Sequence, residues 1–215
     1  MTTHKAAWIP IVIVLLGLIC LPVLFSNPVA VPVLNQIGIA IIFALSYNMV
    51  LGQTGLLSFA HAIFFGFGGF AAVNVLRLAG SGELPLPVPF VPVFGALCGL
   101  AMAMLLGSFT SKRVGMAFAM ITMCLIELVL ASAVFFGRFY GGTIDRTLAP
   151  PFFGIDFQSD VAVYYLILVW LIISVAGMAI YMRSPIGRMS NAVRDNAARA
   201  EFIGYNTRMV RFAAL

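Results

Sequence analysis

An all-α integral membrane protein, a polytopic helical bundle with about six spans, is the fold class this sequence predicts, and three observations predict it. Hydrophobic residues make up 62% of the 215 positions, charged residues only 9%, and the mean hydropathy is +1.09. A soluble domain carries about 45–50% apolar and about 25% charged residues, so this chain has too little charge to cover a water-facing surface of its size. A bilayer removes the conflict, because lipid-facing side chains need no polarity. The apolar residues also gather into runs close to the ~20 residues that a spanning helix needs. Finally, most Lys and Arg residues fall in alternate segments between those runs, which is how topology signals are distributed.

Taken in order, the runs predict spans at Trp8–Phe25, Val31–Leu51, Leu56–Ala79, Val88–Gly107, Gly115–Phe136 and Val161–Met182, within a single domain over 1–215. Ser26-Asn27-Pro28 separates the first two, and Gly52-Gln53-Thr54-Gly55 the second and third. Ser81-Gly82-Glu83 with Pro85, Pro87 and Pro89 precedes the fourth. Gly and Pro end helices because one lacks side-chain restraint and the other lacks an N–H. With the N-terminus placed in the cytoplasm, the inner segments hold Lys5, Lys112, Arg113, Arg183, Arg188, Arg194, Arg199, Arg208 and Arg211. The outer ones hold Arg77, Arg138 and Arg146, beside Glu83, Asp145, Asp156 and Asp160. The basic residues form no continuous face, which excludes nucleic acid as a partner despite the net charge of +5. Lys5 before the first run mimics a secretory signal, but the run is longer than a signal core and Pro28 and Pro32 crowd the cleavage region. Cys20, Cys98 and Cys124 all lie inside apolar runs without metal-ligand spacing, so they are expected as small packing residues, and no metal site is expected. Phe212-Ala213-Ala214-Leu215 reads as the start of a further span over 210–215, which leads us to expect a truncated chain.

Three segments carry more than hydrophobicity. The first runs from Gly52 through Gln53, Gly55 and Ser58 to His61, and continues Phe64-Phe65-Gly66. Gly, Ser and His at membrane depth point either to close helix packing or to a broken helix whose free ends meet a polar substrate. Asn48 adds polarity at the inner end of the second span, as Ser46 does, while Asn35 and Gln36 lie near its outer end. The second segment is Thr122 to Glu127 in the fifth span. A carboxylate there costs a few kcal/mol or more unless it meets polar surroundings, so Glu127 is expected to face the bundle interior. Asn48, Gln53, Gly55, Ser58, His61, Thr122 and Glu127 are therefore candidates for the translocation pathway or for helix packing. Gly95 and Gly99, at Gly-x-x-x-Gly spacing, predict a close helix crossing in the fourth span.

The third segment follows the last span, over 183–209. Ser184 and Pro185 read as a helix cap and first turn, and Gly204 as a helix stop. Met189, Ala192, Val193, Asn196, Ala200 and Ile203 share one face, with the charged residues mostly elsewhere. The pattern predicts a short helical hairpin on the cytoplasmic side, suited either to lipid headgroups or to docking on another protein.

The chain resembles the LivM-type permeases of branched-chain amino acid ABC importers. The resemblance rests on Gly55-Leu56-Leu57-Ser58-Phe59-Ala60-His61-Ala62 with Phe64-Phe65-Gly66, on Gly115–Thr122 leading to Glu127, and on Gly187-Arg188 through Ala192-Val193-Arg194-Asp195-Asn196 to Ala200-Glu201 and Gly204. Gly141-Gly142-Thr143-Ile144-Asp145-Arg146 is similar to the family's Gly-Gly-Ser/Thr-Asp-Gly stretch, with Ile144 intervening and Arg146 in place of the last Gly. The resemblance implies a multi-pass protein of the bacterial inner membrane, paired with a second, LivH-type permease and served by a periplasmic binding protein. Two ABC ATPase subunits would bind below, holding ATP and Mg themselves. Gly187, Arg188, Arg194, Asp195, Asn196, Glu201 and Gly204 would form the loop that couples the ATPases to the spans. This chain carries no Gly-x-x-x-x-Gly-Lys-Ser/Thr phosphate loop, so ATP chemistry and any cofactor belong to other chains, and the chain is expected not to be an enzyme. Urea, short amides or simple sugars are alternative cargoes. A proton-coupled carrier using Glu127 and His61 is the alternative mechanism. An intramembrane enzyme is disfavoured, for neither His-Glu-x-x-His nor Gly-x-Ser-x-Gly is present.

Overall fold

The computed structural model describes residues 8–25, 29–83, 86–135 and 156–215, and among these there are helices and turns but no strand. Six apolar helices stand where the six runs lie: α1 (Trp8–Leu24), α2 (Ala30–Asn48), α3 (His61–Gly80), α4 (Val91–Thr110), α5 (Met116–Phe135) and α6 (Asp160–Arg183). Three short helices follow: α7 (Pro185–Asp195), α8 (Ala197–Phe202) and α9 (Thr207–Ala214). Among the described residues, four helices are long and apolar enough to cross a membrane: α2 with its extension to Gln53, α3, α4 with the 3-10 turn at Val88–Phe90, and α6. The apolar stretch of α5, Met116–Ser132, is shorter, and α1 has 17 residues. The expected breaks at Ser26–Pro28 and Pro85, and the Gly141–Arg146 stretch with Arg138, lie outside the described residues, as does Lys5.

The apolar helices form two packed bodies. In the first, α2 lies along α6, and α1 leans on α6. Val31, Tyr164, Leu168 and Leu171 are its buried core. The hydroxyls of Tyr164 and Tyr165 donate to the carbonyls of Leu18 and Ile19 at 2.7 and 3.3 Å, so that a polar tip inside an apolar contact finds a second lone pair on a helix carbonyl. In the second body α3 crosses α4, and α5 touches both. Gly68, Gly95 and Gly99 make that crossing possible. A Cβ on Gly95 would come 2.7 Å from the Gly68 carbonyl oxygen, and one on Gly99 3.1 Å from that of Phe64. Lipid offers no hydrophobic drive for helices to associate, so backbone approach through small residues supplies van der Waals contact instead. Ala60, Ile63, Phe64 and Ala103 are buried beside this seam. Of the cysteines, Cys98 is half-buried, whereas Cys20 and Cys124 are exposed on outward faces; none is in a disulfide.

The bodies meet at both ends of the bundle, at one of them through residues 49–60 and the α7–α9 cluster. Arg183, Arg188, Arg194, Arg199, Arg208 and Arg211 gather there, with Lys112 and Arg113 at the foot of α4. Near the opposite end Val88 packs against Phe157, and the Asn35 side chain donates to the Asp160 carbonyl at 3.2 Å. Asp156 is exposed there and accepts from the Gln158 amide at 2.9 Å, so it shapes the turn into α6.

Candidate functional site

The expected third span was to begin at Leu56, but regular helix resumes only at His61. Helix α2 loosens first into a π turn over Met49–Gln53. Gly55, at φ +69°, then turns the chain away, closing α2 with its N–H on the Leu51 carbonyl at 3.0 Å. A side chain in that left-handed conformation is strained, which is why a glycine ends the helix here. Leu56–Ala60 runs on without helix and carries Ser58 inward. The segment is thus a non-helical turn between two full-length spans, α2 with its extension and α3.

Its side chains meet α2 and α5. His61 is buried, and its Nε2 lies 2.8 Å from the Ser46 hydroxyl. Phe43, Tyr47 and Phe64 surround the imidazole with ring centroids 5.4, 5.8 and 6.2 Å away. Thr122 is fully buried; its hydroxyl accepts the Phe59 amide at 3.2 Å and donates to the Ala119 carbonyl at 2.9 Å. The Ser58 hydroxyl, the His61 Nδ1 and the Gln53 carbonyl oxygen are buried without a hydrogen-bond partner among the described residues. Buried polar atoms are normally satisfied, and exceptions mark unoccupied polar sites or bound water. Between α2 and α3 an open groove of about 390 Å³ is lined by Gln36, Ile39, Ala40, Phe43, Ala62, Phe65 and Gly66, most of them exposed, and only Phe43 among them packs on His61.

Two expected pathway residues stand apart. Asn48 is exposed on α2, one turn before Gly52. Glu127, expected to face the interior, is exposed on α5. The cause is helical phase. Phe118 and Thr122 point inward, and five residues at about 100° each set Glu127 roughly 140° away from Thr122.

The charged segment is three helices instead of a two-helix hairpin. Ser184 caps α7 by accepting the Gly187 amide at 3.2 Å, with Pro185 in the first turn as expected. Gly187 is buried against the backbone of Tyr181 and Met182, where α7 folds back on α6. Asn196 breaks the helix at φ −157° and caps α8 through the Arg199 amide at 3.0 Å. Because of that break the expected single face divides. Met189, Val193 and Ala200 pack with Ala197 and Val210, whereas Ala192, Asn196 and Ile203 are exposed. Gly204, at φ +94°, closes α8, and Asn206 caps α9. Glu201 accepts from the Thr207 hydroxyl at 2.7 Å, bracing α8 to α9. Arg188 is exposed. Arg194 turns inward: its guanidinium donates to the Gly52 carbonyl, and Asp195 holds it from behind at 3.3 Å. Helix α9 meets the foot of α4, where Phe212 packs on Gly107.

Sequence reasoning did not place Phe43, Ser46 and Tyr47 around His61, although their spacing puts them on one helical face. It also missed Phe202 and Ile203 as the most exposed apolar residues of the cluster, at 91% and 74%.

A protein-family model described as the branched-chain amino acid transport system permease component matches residues 29–215. No match was found among curated proteins or solved structures.

Proposed function

Because the chain belongs to the family of branched-chain amino acid transport permeases, we propose that it is the transmembrane permease subunit of an ATP-driven importer, moving branched-chain amino acids delivered by a periplasmic binding protein. The observation that carries the reading is the junction at Gly52–His61. A non-helical turn between two spans, with unsatisfied buried polar atoms, lies directly against a compact helical cluster at the basic end. Helix ends left free at such a turn can meet polar groups of a substrate. Ser58, His61 and Thr122 are the polar part of the pathway in this reading.

The basic end is the cytoplasmic end, following the distribution of Lys and Arg. There α7–α9 present Phe202, Ile203 and Arg188 to two ATPase subunits, which bind ATP and Mg. A second, LivH-type permease covers the outer face of α5. A lipid-facing carboxylate costs a few kcal/mol, so the exposed Glu127 calls for a protein or water-filled neighbour. The complex sits in the bacterial inner membrane.

The test is uptake of radiolabelled leucine by proteoliposomes holding this chain with its co-purified partners, with ATP inside and the binding protein outside. Uptake requiring both supports the reading. Uptake driven by a proton gradient without ATPases, or competition by urea, acetamide or ribose but not by isoleucine and valine, would sink it.

A further inference from the structure

We propose that Arg194 is the positioning residue that passes movement of the α7–α9 cluster to the turn between α2 and α3, residues 52–61. This rests on the importer reading above and adds the route of coupling to it.

Three observations place Arg194 on that route. Its guanidinium donates to the carbonyl of Gly52, in the π turn that ends α2. Carbonyls in the last turn of a helix lack their usual partners and carry the negative end of the helix dipole, so a cation is favoured there. Its aliphatic stem lies against Gly55, where an added Cβ would come 2.9 Å from the Arg194 Cγ. One side chain therefore touches the turn at two points. Third, Asp195 engages Nε and Nη2 together, both at 3.3 Å, which orients the guanidinium plane and leaves Nη1 for Gly52.

Both ends of this link are stiff. On one side, Val193, the residue before Arg194, is buried with Ala200 and Val210 and is tied to the rest of the cluster by the capping bonds of Asn196 and Asn206. On the other side, the segment beyond Gly55 is pinned at Phe59 by Thr122 and at His61 by Ser46. Val50, Leu56 and Phe118 form a buried contact over the same turn. A displacement of α7 therefore reaches the segment that carries Ser58 and His61. The π turn, with its irregular hydrogen bonds, is the place where the chain yields.

The experiment uses the complete transporter in proteoliposomes and reads leucine taken up per ATP hydrolysed. A second reading follows labelling of Ser58→Cys by a thiol reagent, with and without ATP, after replacing Cys20, Cys98 and Cys124 by Ala. For Arg194→Ala we expect complex assembly and ATP hydrolysis near those of the unaltered protein. Uptake per ATP should fall about tenfold, and the ATP-dependent change in labelling should be lost. Arg194→Lys keeps the charge and one donor and should recover part of the ratio. An unaltered uptake ratio in Arg194→Ala, with labelling still responding to ATP, overturns the proposal. If Arg194→Ala fails to assemble, Arg194→Lys decides by the same two readings: a ratio equal to that of the unaltered protein overturns the link, and a reduced ratio in an intact complex supports it. Absence of ATP-driven leucine uptake by the unaltered complex overturns the importer reading itself, and with it the link.

Discussion

The α3–α4 seam and the Gly52–His61 junction are both built from small residues, yet they use them in opposite ways. At the seam, Gly68, Gly95 and Gly99 bring two regular helices into backbone contact, and the nearest neighbours are carbonyl groups that cannot move alone. At the junction, Gly55 ends a helix, and the atoms nearest it belong to a side chain, Arg194. The seam surrounds itself with apolar residues such as Ile63, Phe64 and Ala103. The junction carries Gln53, Ser58 and His61, each with a buried polar atom left unpartnered, and Thr122 beside them. Side-chain partners can exchange where paired backbone carbonyls cannot, and that is what a moving part requires.

Substitutions should separate the two. The largest effect is expected for Gly95→Leu. Its side chain must displace the Gly68 backbone, costing roughly 3 kcal/mol or more. Thermal unfolding in detergent should show a clear loss of stability, with uptake and ATP hydrolysis falling together because the scaffold itself is lost. Thr122→Val comes next. It leaves the part-buried Phe59 amide without its partner, at a cost of about 1 kcal/mol. Here a modest fall in unfolding temperature should accompany a larger fall in uptake. Equal falls in uptake and ATP hydrolysis would place Thr122 with the scaffold instead.

Gly204→Val tests the cluster that acts on the junction. No atom blocks a Cβ at Gly204, so the cost is the left-handed backbone alone, about 1–2 kcal/mol. Membrane insertion should be normal while ATP hydrolysis is uncoupled from uptake. Unchanged uptake in a normally inserted variant would remove Gly204 from the coupling device. The smallest effect on stability belongs to Ser58→Ala, within about 0.5 kcal/mol or slightly stabilising, because the hydroxyl it removes is unpartnered. Its effect should appear instead as a raised KM for leucine. An unchanged KM would make Ser58 a packing residue and narrow the contrast with the seam.

How much of this was legible in the sequence differs by element. The apolar runs marked all six long helices, since burial in lipid demands about the same length and composition from each. Ser184-Pro185 and Gly204 marked the ends of short helices, because capping is local chemistry between residues three or four apart. The Gly95–Gly99 spacing announced a close crossing, but not that Gly68 and Phe64 would meet it. The direction of Glu127 was misread, because apolar residues surround it on every side of α5 and the helix shows no polar face from which to judge rotation. The face shared by Ala192, Asn196 and Ile203 was misread for a different reason. Asn196 prefers to cap a new helix over continuing the old one, and a periodicity argument assumes no break.

Sequence alone therefore determined that the chain spans a membrane with several helices, where those helices lie, and that a charged, capped segment follows them. These properties come from solvent transfer and local capping, which act on each stretch independently of the rest. Only the tertiary structure decided that Arg194 reaches Gly52 across 142 positions of the chain, that Thr122 holds Phe59, and that His61 pairs with Ser46. Those contacts depend on the rotation and depth of whole helices against one another. In a sequence so uniformly apolar, packing sets rotation and depth, and composition does not.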